Sequence, residues 1–100
     1  MALDRGAPNS KASIHTSKLI SPVQCRMARA GLGLSVREFA KLAGVSGLTV
    51  TRFENGNTSC PEDVVRTFRS VFEGLGVTFI SDVSGQLGVC LSTKFAERQR

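Results

Sequence analysis

Apolar residues recur at helical spacing in four stretches of the chain and alternate at strand spacing in its last part. The first stretch opens on Ser21-Pro22-x-Gln24: a capping serine, a proline for the first turn and a glutamine placed to complete a capping box. Behind it Cys25, Ala28, Arg29 and Leu32 share one face, and Gly31 and Gly33 predict the turn that follows. An arginine on an apolar face needs a partner, because a lone buried charge is costly. The second stretch opens on Ser35 and Glu38, another capping box, and turns Phe39, Ala40 and Ala43 inward while Arg37, Glu38 and Lys41 are left for water. Gly44 stands where a left-handed backbone stops a helix. Apolar Val45 can pin the turn, and Ser46 caps a third helix over residues 47–55, with Val50 and Phe53 inward and Gly56 at its end. After a loop over residues 57–61, Glu62 and Asp63 occupy the dipole-favoured first turn of a fourth helix. Val64, Val65, Phe68, Val71, Phe72 and Leu75 form its stripe, and Gly74 and Gly76 mark its end. Residues 77–80 and 87–91 read as two strands joined by turn residues that include Gly85. A lone hairpin is marginal in water, so this one must pack on the helices or on a second subunit.

Residues 35–56 therefore read as two short helices joined by a tight turn, with the small Ala40 letting their backbones approach. That is the helix-turn-helix plan, which holds its second helix out where it can enter a DNA major groove. Ala40, Gly44, Val45, Val50, Phe53 and the closing Glu54-Asn55-Gly56 resemble the helix-turn-helix family of phage Cro and CI repressors, the Xre family. The resemblance extends over about residues 20–80. It implies a mainly α fold, a lambda-repressor-like helix-turn-helix bundle of about four helices with a C-terminal β-hairpin. It also implies that Arg29 pairs with Glu54 and so ties the first helix to the end of the third. The resulting division is a flexible N-terminal arm over residues 1–19, a DNA-binding domain over 20–76, the hairpin over 77–91 as a candidate dimerisation element, and a basic tail over 92–100.

Composition narrows the picture further. One hundred residues suffice for one modest core. No apolar run approaches the ~20 residues of a membrane span, and the N-terminus shows no secretion signal. Cys25, Cys60 and Cys90 are odd in number and far apart, with no C-x-x-C, so reduced thiols in a cytoplasm are expected rather than a disulfide framework. Cys25 and Cys90 read as buried structural residues and Cys60 as lying near a helix cap. The net charge of +5 resides in residues 1–60, with eight Lys or Arg against three acids; residues 61–100 carry five of each. The basic half is the one holding the helix-turn-helix, as attraction to phosphates requires. Arg5, Lys11, His15 and Lys18 in the arm can follow a DNA backbone or reach a minor groove; a disordered leader is the alternative. With the sole histidine, His15, in that arm, neither Cys–His catalysis nor a chelating zinc pair is expected. No enzyme activity, cofactor or metal is anticipated.

If the third helix enters the groove, its outer face and first turn must supply the base contacts. The family pattern assigns base reading to Ser46, Gly47, Leu48, Thr49, Thr51 and Arg52. Arg52 is the strongest, since a guanidinium bonds both acceptors of a guanine. Leu48 can make only apolar contacts, for instance with a thymine methyl. Arg37, Lys41, Asn55 and Arg26 are candidate phosphate contacts. Two positions depart from the family. Val36 stands where a phosphate-bonding glutamine is common, and Gly47 and Leu48 stand where polar or basic readers are common. The sequence-based expectation is thus a cytoplasmic, sequence-specific transcriptional regulator, most simply a repressor, binding double-stranded DNA as a homodimer on an inverted repeat. The rival is a protein-binding adaptor, antiactivator or antitoxin-like, whose partner docks on the third helix or the hairpin.

Overall fold

A computed structural model of the 100-residue chain describes residues 19–57 and 59–92. Residues 1–18 of the expected arm over residues 1–19, with Arg5, Lys11, His15 and Lys18, and residues 93–100 of the expected basic tail over residues 92–100 lie outside the described residues. Four helices and a hairpin follow in order: α1 (Pro22–Leu32), α2 (Val36–Ala43), α3 (Gly47–Glu54), α4 (Glu62–Gly74), β1 (Val77–Ser81) and β2 (Leu87–Leu91).

The helix starts are set by local chemistry. Ser21 Oγ accepts from the Gln24 amide and Gln24 Oε1 from the Ser21 amide, both at 3.1 Å. The same reciprocal box joins Ser35 and Glu38 at 3.0 and 2.8 Å, and Ser46 Oγ accepts from the Thr49 amide at 3.2 Å. Each bond satisfies an amide that the first turn leaves without a partner. Gly33 and Gly44 end α1 and α2 in the left-handed conformation, at φ 71° and 73°, which costs a residue with a Cβ about 1 kcal/mol or more.

The core sits where the four helices meet one face of the hairpin. Phe39, Phe68, Phe72, Val50 and Cys25 are its largest fully buried side chains. Phe39 stacks on Phe72 with ring centroids 4.2 Å apart and meets Phe68 edge-on at 5.1 Å. Phe53 also meets Phe68 edge-on, at 5.5 Å, so the turn unit α2–α3 is clamped on α4 by aromatic contacts. Phe79 on β1 reaches the Phe72 edge at 5.9 Å, which carries the core into the hairpin.

The hairpin packs on the helices of its own chain, one of the two supports the sequence left open. In the antiparallel register Val77 opposes Leu91, Phe79 opposes Val89 and Ser81 opposes Leu87. Gln24 Nε2 donates to Ile80 O at 3.0 Å and to Gly88 O at 3.2 Å, so a buried α1 side chain bonds both strands at one paired position.

Four local expectations are corrected. Gly31 belongs to α1 and not to a turn. A Cβ there would lie 2.8 Å from Leu91 Cδ1, so the bare backbone is what lets β2 come so close. Asn55 caps α3 from outside instead of ending it from within. Ser81 continues β1 and is not the first turn residue. Cys90 is exposed, not buried: strand alternation gives the helix side to Val89 and Leu91 and turns Cys90 outward opposite Thr78.

Candidate functional site

The inward face of α3 is set by Val50, Phe53 and Glu54, all buried. At 100° per residue the opposite stripe is then Leu48, Thr51, Arg52 and Asn55, and all four are exposed. Of the six residues expected to read bases, Leu48, Thr51 and Arg52 share this stripe. Ser46, Gly47 and Thr49 do not. Ser46 is the cap, and its hydroxyl lies 3.0 Å from that of Thr49 in a hydrogen bond. Gly47 is half-buried, and a Cβ there would meet Val36 at 3.7 Å. Val36 thus uses its place at the start of α2 to pack beside α3, where a polar side chain would have reached outward.

The Arg52 side chain has no hydrogen-bond or ion-pair partner among the described residues and stands exposed in the last turn of α3. Together with Thr49 it lines one side of an open cleft whose other side is Ser59, Cys60 and Pro61. The sequence held no signal for this neighbour, because the approach depends on how the chain returns from α3 to α4. On α2, Arg37 and Lys41 are exposed and line a shallow open surface with Ser35 and Glu38. The serine amide held by Glu38 keeps that carboxyl below its ordinary range, so an acid stands among these bases. Asn55 and Gly56 are exposed just past α3.

What holds α3 in place is a polar knot at its C-terminal end. Arg29 Nε donates to Glu54 Oε2 and Arg29 Nη2 to Glu54 Oε1, each at 2.8 Å. Arg29 Nη1 also donates to Leu34 O at 3.1 Å. The Cys25 thiol donates to Glu54 Oε2 at 3.3 Å. Arg26, expected at a phosphate, donates through Nη1 to Glu54 O, so it braces the end of α3 while its side chain stays exposed. Burial by itself pushes the Glu54 carboxyl up. The hydrogen bonds from Arg29 and Cys25, with the charges of Arg29 and Arg26, outweigh it and hold the group below the ordinary carboxylate range. The Cys25 thiol goes the other way, raised by burial and then by its bond to Glu54. The inferred Arg29–Glu54 pair is therefore present, bidentate and largely buried.

Among the described residues no cluster of three or more His, Cys, Asp or Glu is arranged to hold a metal ion, and no helix is long and apolar enough to cross a membrane. Residues 24–76 match a family model described as a helix-turn-helix domain. No curated protein matches the chain.

Proposed function

Because this chain belongs to the helix-turn-helix domain family, we propose that it is a DNA-binding transcriptional regulator of the Xre, Cro/CI-like kind, lying in the cytoplasm beside the chromosome. It lays α3 in the major groove of an inverted-repeat operator, binds as a homodimer, and represses by occluding polymerase. It acts by binding, with no catalytic step and no cofactor. The observation that carries this reading is the outward stripe of α3, with an Arg52 side chain at its centre that has no partner among the described residues, anchored by the knot at Glu54. Arg37, Lys41 and Asn55 flank it as phosphate contacts. The hairpin strands VTFIS and LGVCL carry no charge, and charge is one of the usual devices that keep strand edges apart, which supports the hairpin as the dimer contact.

Two-fold symmetry then spaces the recognition helices about 34 Å apart, one helical turn of DNA. The test is selection from a random duplex library with purified protein at moderate salt. Enrichment of an inverted repeat with half-sites one turn apart is the expected result.

A protein-binding adaptor is the second reading. It is favoured by the exposure of Leu42 on α2 and of Leu48 on α3, at 53% and 57%. Salt separates the two, since phosphate contacts make duplex affinity fall steeply with ionic strength. Failure to shift any duplex at low salt, with salt-insensitive capture of a protein, would select the adaptor.

A further inference from the structure

The first turn of α3 is where a recognition helix meets base edges, and here the part of it on the outward stripe carries no hydrogen-bonding side chain. Gly47 has no side chain and its position abuts Val36. The hydroxyls of Ser46 and Thr49 are bonded to each other at the cap, off the outward stripe. Val50 is buried. What projects is Leu48, 57% exposed at the N-terminal end of the stripe that continues through Thr51 and Arg52.

In the major groove the bases offer donors, acceptors and one apolar group, the methyl on C5 of thymine. 5-Methylcytosine carries the same methyl on the same edge. A leucine set against an acceptor or an amino group would strip its water and return no hydrogen bond. Set against a C5 methyl, it buries apolar surface on both sides.

Resting on the DNA-binding reading above, we propose that Leu48 is a specificity-determining residue that reads the C5 methyl group of a pyrimidine, thymine or 5-methylcytosine, in the major groove. Leu48 and Arg52 are four residues apart, about 6 Å along the helix axis. The methylated pyrimidine and the guanine that Arg52 bonds thus lie in the same half-site.

The test starts from the duplex selected with the full chain. Each thymine is replaced in turn by uracil, which removes only the methyl, and in a parallel series each cytosine by 5-methylcytosine, which adds only the methyl. Affinities are measured for the wild type, Leu48→Ala and Leu48→Met. One position per half-site should respond in the wild type, by roughly fourfold per methyl. The response should vanish in Leu48→Ala and return in Leu48→Met. A response to uracil identifies thymine as the natural group. A gain confined to 5-methylcytosine identifies a methylated cytosine. A duplex bound with sequence preference but indifferent to every methyl overturns the inference and leaves DNA binding standing. A methyl response that persists in Leu48→Ala assigns it to another residue and overturns the inference equally. Absence of binding to any duplex overturns the DNA-binding reading, and this inference falls with it. Circular dichroism of the variants checks that the substitutions at this exposed position leave the fold intact.

Discussion

Arg29, in the last turn of α1, grips Glu54, the last residue of α3, with two parallel hydrogen bonds of 2.8 Å. The side chains are 20% and 6% exposed, so the pair is shielded from solvent and from salt. It joins the helix that carries the hairpin to the helix proposed to read DNA. The orientation of α3 thus depends on a contact 25 residues away in sequence.

Removing one partner leaves a buried charge behind. Arg29→Ala should lower unfolding stability by about 3 kcal/mol, the range seen when a buried pair loses one member. Urea unfolding followed by circular dichroism measures this directly; an unchanged midpoint would mean that water compensates Glu54 fully.

Acid should act on the same pair. Glu54 has a folded-state pKa below its ordinary value near 4.5, so its contribution is fully present above that value and is lost as pH falls through the folded pKa. Stability should therefore hold from neutral pH down to about 4.5 and decline below it. Glu38 and Asp82 are shifted the same way. Glu54→Gln isolates the pair: the variant should be less stable at pH 7 and show a shallower acid decline. Parallel slopes in the two proteins would assign the acid sensitivity elsewhere.

Gln24 makes one bond to the Ser21 amide and two to the hairpin carbonyls at Ile80 and Gly88. Gln24→Ala should cost about 1–3 kcal/mol. Its signature should be local, with amide exchange in β1 and β2 accelerating more than in α2 and α3. Uniform acceleration would show that the hairpin does not open separately.

Arg52→Ala should leave the melting temperature unchanged, since the side chain is exposed and without a partner among the described residues. It should cost about 1–3 kcal/mol of discrimination at one base pair per half-site. Comparing selected duplex pools from the two proteins decides this, and identical pools would remove Arg52 from the reading surface.

The three thiols should separate by accessibility. Cys90 is exposed, Cys60 half-buried and Cys25 buried, and burial and its bond to Glu54 push the Cys25 thiol up. A thiol reagent at neutral pH should modify Cys90 first and Cys60 more slowly, and reach Cys25 only on unfolding. Rapid modification of Cys25 in the native protein would contradict its place in the core.

The local sequence by itself determined the helices, their caps and the turn. A capping serine three residues before Gln24 or Glu38, or a glycine at Gly44, acts through bonds and dihedrals within one turn of chain. The inward faces of α2, α3 and α4 followed from spacing alone, and with α3's inward face its outward stripe. The Arg29–Glu54 pair was legible only through the family resemblance, because no local spacing links residues so far apart. Packing decided the rest. It set Leu91 against the bare backbone of Gly31, turned Cys90 outward through strand register, and set Gln24 beneath both hairpin strands. It spent Val36 on α3 and Arg26 on the carbonyl of Glu54, and brought Ser59, Cys60 and Pro61 beside Arg52. Each of these depends on which segments meet in space. A one-dimensional pattern records periodicity but not the partners that periodicity finds.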